Sequence, residues 1–200
     1  MKSKILGLLA VGLMAGPAAQ AATMTFEGVA PPGGYVVPVT PCTEAGFQLT
    51  NATPSSDGIF DGAYSGANSD GSAVFGWCGD CASPSPVVIT LTAVGGGAFS
   101  FSALDAANLR FESSTQPLDL VGAVAGGGIV VDQVTIGATW QTFALTGFND
   151  VTSVAIFGPD IGQDLAMDNL VVNSVPEPAT LGLLGLGLAG VGFMRRRKTV

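Results

Sequence analysis

Short runs of β-branched and aromatic residues, separated by clusters of glycine, proline, asparagine, aspartate and serine, constrain the fold of this 200-residue chain most strongly. They recur about every ten residues, and turn-forming residues between such runs favour short strands joined by tight turns. The run Ala98–Leu104 alternates, so that Phe99 and Phe101 share one face and Ser100 and Ser102 share the other. This pattern predicts half-buried β-strands.

The predicted body is a single all-β domain, a jelly roll or β-sandwich, over residues 22–174. No long stretch of it shows the periodicity of a helix, and no repeat or linker divides it. Strands are expected near Met24–Phe26, Tyr35–Val39, Gly46–Thr50, Ala73–Trp77, Val87–Val94, Ala98–Leu104, Leu118–Ala123, Ile129–Ile136, Trp140–Leu145, Val151–Phe157 and Leu165–Val172.

Charge is distributed unevenly along the chain. Hydrophobic residues make up 48% and charged residues 11%, the reverse of a disordered composition, so the body is expected to bury a core. Between Ala22 and Val175, 14 aspartates and glutamates accompany the single basic residue Arg110, a balance of 1 − 14 = −13. Such a domain repels phosphate backbones, which excludes nucleic acid as a partner. The absence of histidine excludes Ser-His-Asp and Cys-His catalysis.

Residues 1–21 have the parts of a secretory signal peptide. Lys2 and Lys4 precede an apolar run from Ile5 to Ala15, and Ala19-Gln20-Ala21 is an A-x-A cleavage site. The apolar run is too short to span a bilayer. We therefore expect an exported protein that starts at Ala22 after cleavage.

Residues 175–200 form a second terminal segment, with a short motif, an apolar helix predicted over 179–194 and a basic end. The uncharged helix would measure about 24 Å at ~1.5 Å per residue, close to the thickness of a hydrocarbon core. Basic residues after it would remain cytoplasmic and stop translocation at the inner membrane. The motif residues are Pro176, Glu177 and Pro178, and the basic stop consists of Arg195, Arg196, Arg197 and Lys198.

This arrangement resembles the PEP-CTERM sorting signal of Gram-negative bacteria that make exopolysaccharide. The resemblance implies that an exosortase, a membrane-embedded enzyme similar to transpeptidases, recognises the motif and removes the helix. The chain would then be anchored transiently in the inner membrane before release to the periplasm, the outer surface or the extracellular space. A permanent single-pass anchor remains the alternative.

The order of landmarks in the body resembles the jelly-roll domains of PEP-CTERM proteins, which are similar to galactose-binding-like and carbohydrate-binding modules. In such modules an acidic residue of the first strand and an aspartate of the last strand often hold a structural Ca²⁺. The matching positions are Glu27 and Asp168, and carboxylate oxygens suit Ca²⁺. The alternative is a local hydrogen bond made by Asp168. The landmarks are Thr25–Gly28, Gly66–Ser72, Phe99–Phe101, Trp140–Phe143 and Met167–Val172.

Three cysteines, Cys42, Cys78 and Cys81, are disulfide candidates in an oxidising compartment. Any two of them can pair, and the sequence leaves the pairing open. Trp77-Cys78-Gly79-Asp80-Cys81 is similar to a thioredoxin site, but two prolines and a predicted strand follow where that site requires a helix.

These observations predict an exported, non-enzymatic cell-surface or extracellular-matrix protein that binds glycan, with biofilm exopolysaccharide as the expected partner. If exposed, Trp77 or Tyr64 would supply a platform for stacking sugars, although burial is the commoner state of such aromatic residues. Two alternatives stay open, namely a glycoside hydrolase with paired carboxylates and a thiol-disulfide protein.

Overall fold

A β-sheet of 13 strands makes up the described part of this computed structural model, which comprises residues 21–37, 39–51, 57–78, 88–110, 114–157 and 164–174. Within these ranges no helix is long and apolar enough to cross a membrane. The predicted signal peptide up to residue 20, the sorting motif, the C-terminal helix, the basic stop and Cys81 lie outside the described residues, as does the side chain of Cys78.

The strands follow one another closely along the chain. Their bounds are β1 Ala21–Met24, β2 Tyr35–Val36, β3 Cys42–Glu44, β4 Phe47–Asn51, β5 Asp57–Phe60, β6 Val74–Cys78, β7 Val88–Ala93, β8 Phe99–Asn108, β9 Gln116–Val124, β10 Ile129–Ile136, β11 Gln141–Ala144, β12 Val151–Phe157 and β13 Asp164–Ser174.

All strand pairs are antiparallel, in the order β2-β5-β6-β13-β8-β12-β7-β4-β3. Four strands branch from this path, with β1 on β13, β11 on β8, β9 on β12 and β10 on β9. Strands β8 and β12 share one register pair only, Phe99 with Val151. The sheet curls at this point into two layers. The first layer contains β2, β5, β6, β13 and β8 with β1 and β11, and the second contains β12, β7, β4 and β3 with β9 and β10.

One apolar core fills the space between the two layers. Phe75, Trp77 and Met167 enter it from the first layer, and Leu91 and Ile156 enter it from the second. All the residues of this core, and of a smaller second cluster, belong to the compact unit Gln20–Val175. The architecture therefore confirms the all-β sandwich, and the unit carries its own core.

The alternation of β8 is as the sequence predicts, because Phe99 and Phe101 are buried whereas Ser100 and Ser102 face outwards. Each predicted strand overlaps an observed one, but β3 and β5 were not predicted. Since Asp-Gly pairs commonly form turns, the sequence favoured a turn at the start of β5.

Tertiary contacts of Asp57 override this turn preference. The side chain of Asp57 is buried, and its oxygens accept hydrogen bonds from the backbone N–H groups of Val39 and Thr40, the Thr40 hydroxyl and the Asn51 amide, at 2.8–3.1 Å. The adjacent Gly58 is required here, because a Cβ at that position would lie 2.2 Å from Cγ1 of Val37. These contacts hold β5 in the sheet.

Candidate functional site

The first layer carries a second apolar cluster on its outer face. Ala67, Val74, Leu109 and Ala166 are buried there, and Trp140 packs against them. Part of the cover comes from residues 61–73, which connect β5 to β6 and which we call the 61–73 loop.

Asn68 anchors this loop to the sheet. Its buried amide Nδ2 donates to the carbonyl oxygens of Asn108 at 3.0 Å and Ala138 at 2.7 Å, and the backbone N–H of Asn68 donates to the carbonyl of Leu109. The loop therefore has a fixed position over the first layer. Groups at its two ends, an aromatic cluster and a set of carboxylates, are candidates for function.

Tyr35, Phe60 and Tyr64 form an aromatic cluster at the start of the loop. The ring centroids of Tyr35 lie 5.8 Å from Phe60 and 5.1 Å from Tyr64, and those of Phe60 and Tyr64 are 5.8 Å apart. Tyr35 is 49% exposed, and the other two rings are partly exposed. Three aromatic rings in mutual contact and open to solvent give a surface on which an apolar ligand face can stack.

Two features of the loop fix the cluster. A Cβ on Gly66 would lie 2.7 Å from ring atoms of Tyr64, so a side chain at this position would displace that ring. The carboxylate of Asp61 accepts the backbone N–H groups of Gly33 at 2.8 Å and Ala63 at 3.0 Å. These bonds lower the pKa of Asp61 and tie the chain before β2 to the start of the loop.

At the other end of the loop, Ser72 brings two carboxyl groups together. Its hydroxyl contacts Oδ1 of Asp70 and lies 2.7 Å from Oδ2 of Asp168. Because a hydroxyl has one proton, it can donate to only one of them. The other contact is a hydrogen bond only when that carboxyl group is itself protonated.

The surroundings of Asp168 favour its protonated form. Its side chain is completely buried, and Oδ1 has no hydrogen-bond partner among the described residues. Burial raises the pKa of Asp168 to about 7, against the opposing effects of the Ser72 hydroxyl and the backbone N–H of Asn169, and the nearby charges of Asp70 and Asp105 raise it further. Asp105 lies directly across from Asp168 in the β8–β13 register.

The structure places both predicted calcium ligands beside the same dipeptide. Oε1 of Glu27 accepts the backbone N–H of Ala73 at 3.0 Å, and Asp168 contacts Ser72. Glu27 lies in the turn after β1, and β1 pairs antiparallel with β13, the strand that contains Asp168. No group of three or more His, Cys, Asp or Glu side chains suited to a metal occurs among the described residues. The buried free oxygen of Asp168 fits a cation, whereas Glu27 already has a backbone partner, so the calcium site stays a prediction.

Trp77 is not a sugar platform, because it is buried, the alternative that the sequence left open. It is 1% exposed and packs edge-on against Phe75, at 6.1 Å between ring centroids. Tyr64 is partly exposed as expected. Sequence reasoning missed Tyr35 and Phe60 because only the pairing of β2 with β5 brings them together.

Cys42 lies on β3 as a buried free thiol. Burial raises its pKa to about 11, and the charges of Glu44 and Asp57 contribute to the increase. The thiolate, which is the reactive form, is therefore disfavoured at this position. Because Cys42 is free, the two pairs that would include it are not formed. Pairing of Cys78 with Cys81 stays a prediction, since Cys81 and the side chain of Cys78 are outside the described residues.

The family comparison concerns the C-terminal segment. Residues 174–198 match the model of the PEP-CTERM protein-sorting motif, which confirms the predicted sorting tail. None of the curated proteins matches the chain in sequence.

Among solved structures, the chain is similar to carbohydrate-binding modules. A family 29 module has a TM-score of 0.46 and 10% identity, over 78% of this chain and 88% of that chain. The module TmCBM61, solved with β-1,4-galactotriose, has a TM-score of 0.42 and 12% identity, over 66% and 90%. The agarase AgWH50C has a TM-score of 0.42 and 9% identity, over 70% of this chain and 26% of the agarase. At these scores the likenesses establish neither a ligand nor an activity.

Proposed function

We propose that this chain is an exported, exosortase-sorted surface or matrix protein that binds polysaccharide through the aromatic cluster of Tyr35, Phe60 and Tyr64, without catalysis. The sorting motif at residues 174–198 supports the route. The exposed cluster is the single observation that supports the ligand.

The chemistry of the cluster suits a sugar better than other ligands. A pyranose ring has a face of C–H groups that stacks on aromatic rings, and its hydroxyls need polar neighbours at the edge of the stack. Asp61 directly follows Phe60 in the chain, and Tyr64 belongs to the 61–73 loop, so polar groups of this segment adjoin the cluster. The acidity of the domain favours a neutral polysaccharide over an acidic one, because like charges repel.

The test is affinity electrophoresis of residues 22–175 through gels that contain neutral or acidic polysaccharides. We expect retardation by at least one neutral polysaccharide, and loss of most of that retardation in Tyr35→Ala because half of this ring is free to contact a ligand. The matched control is Tyr35→Phe, which keeps the ring and removes the hydroxyl. Retardation that is the same in Tyr35→Ala and wild type would refute this site.

A second variant tests the geometry of the cluster. Gly66→Ala places a methyl group against the ring of Tyr64 and should weaken retardation without removing an aromatic residue. If folded protein shows no retardation in any polysaccharide, the ligand is refuted and a structural role in the matrix remains.

The two enzymatic alternatives receive no support from the described residues. Asp168 has the raised pKa of a general acid, but it is completely buried beneath Ser72 and cannot contact a substrate. The thiol-disulfide alternative depends on Cys78 and Cys81, and Cys81 and the side chain of Cys78 lie outside the described residues. The third thiol, Cys42, is buried with a pKa raised to about 11, which disfavours the reactive thiolate.

We also propose that Asp168 and Glu27 hold a structural Ca²⁺ that would neutralise the buried carboxylate. The free Oδ1 of Asp168 supports this proposal. Thermal melting of residues 22–175 at pH 8 tests it, with Ca²⁺ and with a chelator. A higher melting temperature in Ca²⁺, absent from Asp168→Asn, is expected. Equal melting temperatures of the wild type in the two conditions would refute the site.

A further inference from the structure

The second layer has an outer face that carries almost no charge. The strands β10, β9, β12, β7 and β4 lie side by side in this layer. Their register places Val131, Val121, Ala155, Thr90 and Thr50 in one continuous row across it. Each of these five residues is at least partly exposed. We call the surface around this row the neutral face.

The rows on either side have the same character. Ile129 begins one of them and is 70% exposed, and Val131 in the central row is 59% exposed. On the other side, Gln133, Asp119 and Phe157 follow one another across β10, β9 and β12. Asp119 is the one charged residue in these rows, and its carboxylate accepts a hydrogen bond from the amide of Gln133 at 2.5 Å. In these rows the neutral face thus carries a single charge, and its other named residues are apolar, hydroxylic or amide side chains.

Charge decides what can cover such a face. The body has 14 acidic residues and one basic residue, so two copies repel one another wherever their acidic surfaces meet. A basic partner would bind to those acidic surfaces and gain nothing at the neutral face. A symmetric contact requires a patch that is complementary to itself, and an uncharged patch meets this condition.

The free edge of β10 is a less suitable contact than its face. β10 pairs along its full length with β9 and has no register partner on its other side among the described strands. Asp132 lies in the middle of β10 and accepts the backbone N–H of Gln133. A charged residue in the middle of an edge strand opposes the addition of another strand.

We propose that the neutral face is the contact surface between two copies of this chain. Five or six strands about 4.8 Å apart and about five residues long give a face of roughly 24 by 17 Å. This is at the low end of protein interfaces, so the dimer is transient. Ile129 and Val131 supply its most exposed apolar side chains.

Sedimentation equilibrium of residues 22–175 at increasing concentrations tests the dimer. Val131→Glu places a like charge on both sides of the contact and should weaken dimerisation at least tenfold. The matched control is Val29→Glu, which makes the same change at a residue that is 44% exposed and outside the second layer. Raising NaCl from about 0.1 M to about 1 M shortens the screening length from about 10 Å to about 3 Å and should strengthen the wild-type dimer.

Three results would overturn the proposal. They are a wild type that is monomeric at millimolar concentration, a dimer that Val131→Glu and Val29→Glu weaken equally, and a dimer that dissociates as salt rises. If the wild type is monomeric but Val131→Glu reduces its retardation by a neutral polysaccharide, the neutral face binds glycan instead. Circular dichroism of both variants shows whether each is folded.

Discussion

Replacing Asp168 by asparagine should make the stability of this domain less dependent on pH. In the folded chain the pKa of Asp168 is raised from 3.8 to about 7, chiefly by burial. An unfolded chain loses this proton near pH 4, so between about pH 4 and pH 7 the folded state binds more protons than the unfolded state. The free energy of unfolding therefore falls as pH rises through this window and levels off above it.

The magnitude follows from the size of the shift. About three pKa units, at about 1.4 kcal/mol per unit, correspond to at most about 4 kcal/mol lost between pH 4 and pH 8. Asparagine resembles the protonated carboxyl group in shape and carries no charge at any pH. Its packing cost is present at both pH values, so it cancels when the two are compared.

Urea unfolding of residues 22–175 in chelator, at pH 4.5 and pH 8, measures this difference. We expect the free energy of unfolding of Asp168→Asn, relative to wild type, to rise by about 2–4 kcal/mol from pH 4.5 to pH 8. The control Asp150→Asn removes the same charge from an exposed residue and should gain little. A gain below about 0.5 kcal/mol for Asp168→Asn would show that the buried carboxyl group does not hold its proton to neutral pH.

Three further perturbations have expected outcomes. Asp57→Ala removes the acceptor of four hydrogen bonds and should lower the free energy of unfolding in urea by about 3 kcal/mol or more. A decrease under about 1 kcal/mol would mean that other groups accept these hydrogen bonds in place of the Asp57 carboxylate. Trp77→Ala empties a fully buried site and should cost about 3–5 kcal/mol, with Trp77→Phe much milder; equal costs would contradict the packing described. The Cys42 thiol should react with a thiol reagent at pH 8 only after unfolding. Rapid labelling of the native protein that peptide mass mapping locates at Cys42 would refute its burial.

The positions of most strands could be predicted because each is a local pattern. The β-branched run Val151–Phe157 has the bounds that the sequence predicts. The strand β5 escaped prediction because Asp57-Gly58 has the local chemistry of a turn, and its buried carboxylate is satisfied by residues 39, 40 and 51. Non-local contacts overrode local preference at this position.

The candidate site was predictable only in part. Tyr64 and the acidic pair Glu27 and Asp168 were chosen from residue type and from landmarks. The sequence did not reveal that Tyr35 joins Tyr64, since the register of β2 with β5 decides it. It also did not reveal that Ser72 places Asp70 against Asp168, residues 98 positions apart (168 − 70).

The sequence by itself determined the all-β class, the acidity of the body and the sorting tail, because alternation, net charge and a short motif are properties of neighbouring residues. Only the tertiary structure decided which surfaces those strands present. Alternation assigns residues to two faces of a strand but does not say which strands lie side by side. Pairing therefore decided that three aromatic rings meet at the 61–73 loop, that Asp168 is buried, and that valines and threonines from separate strands line up as the neutral face.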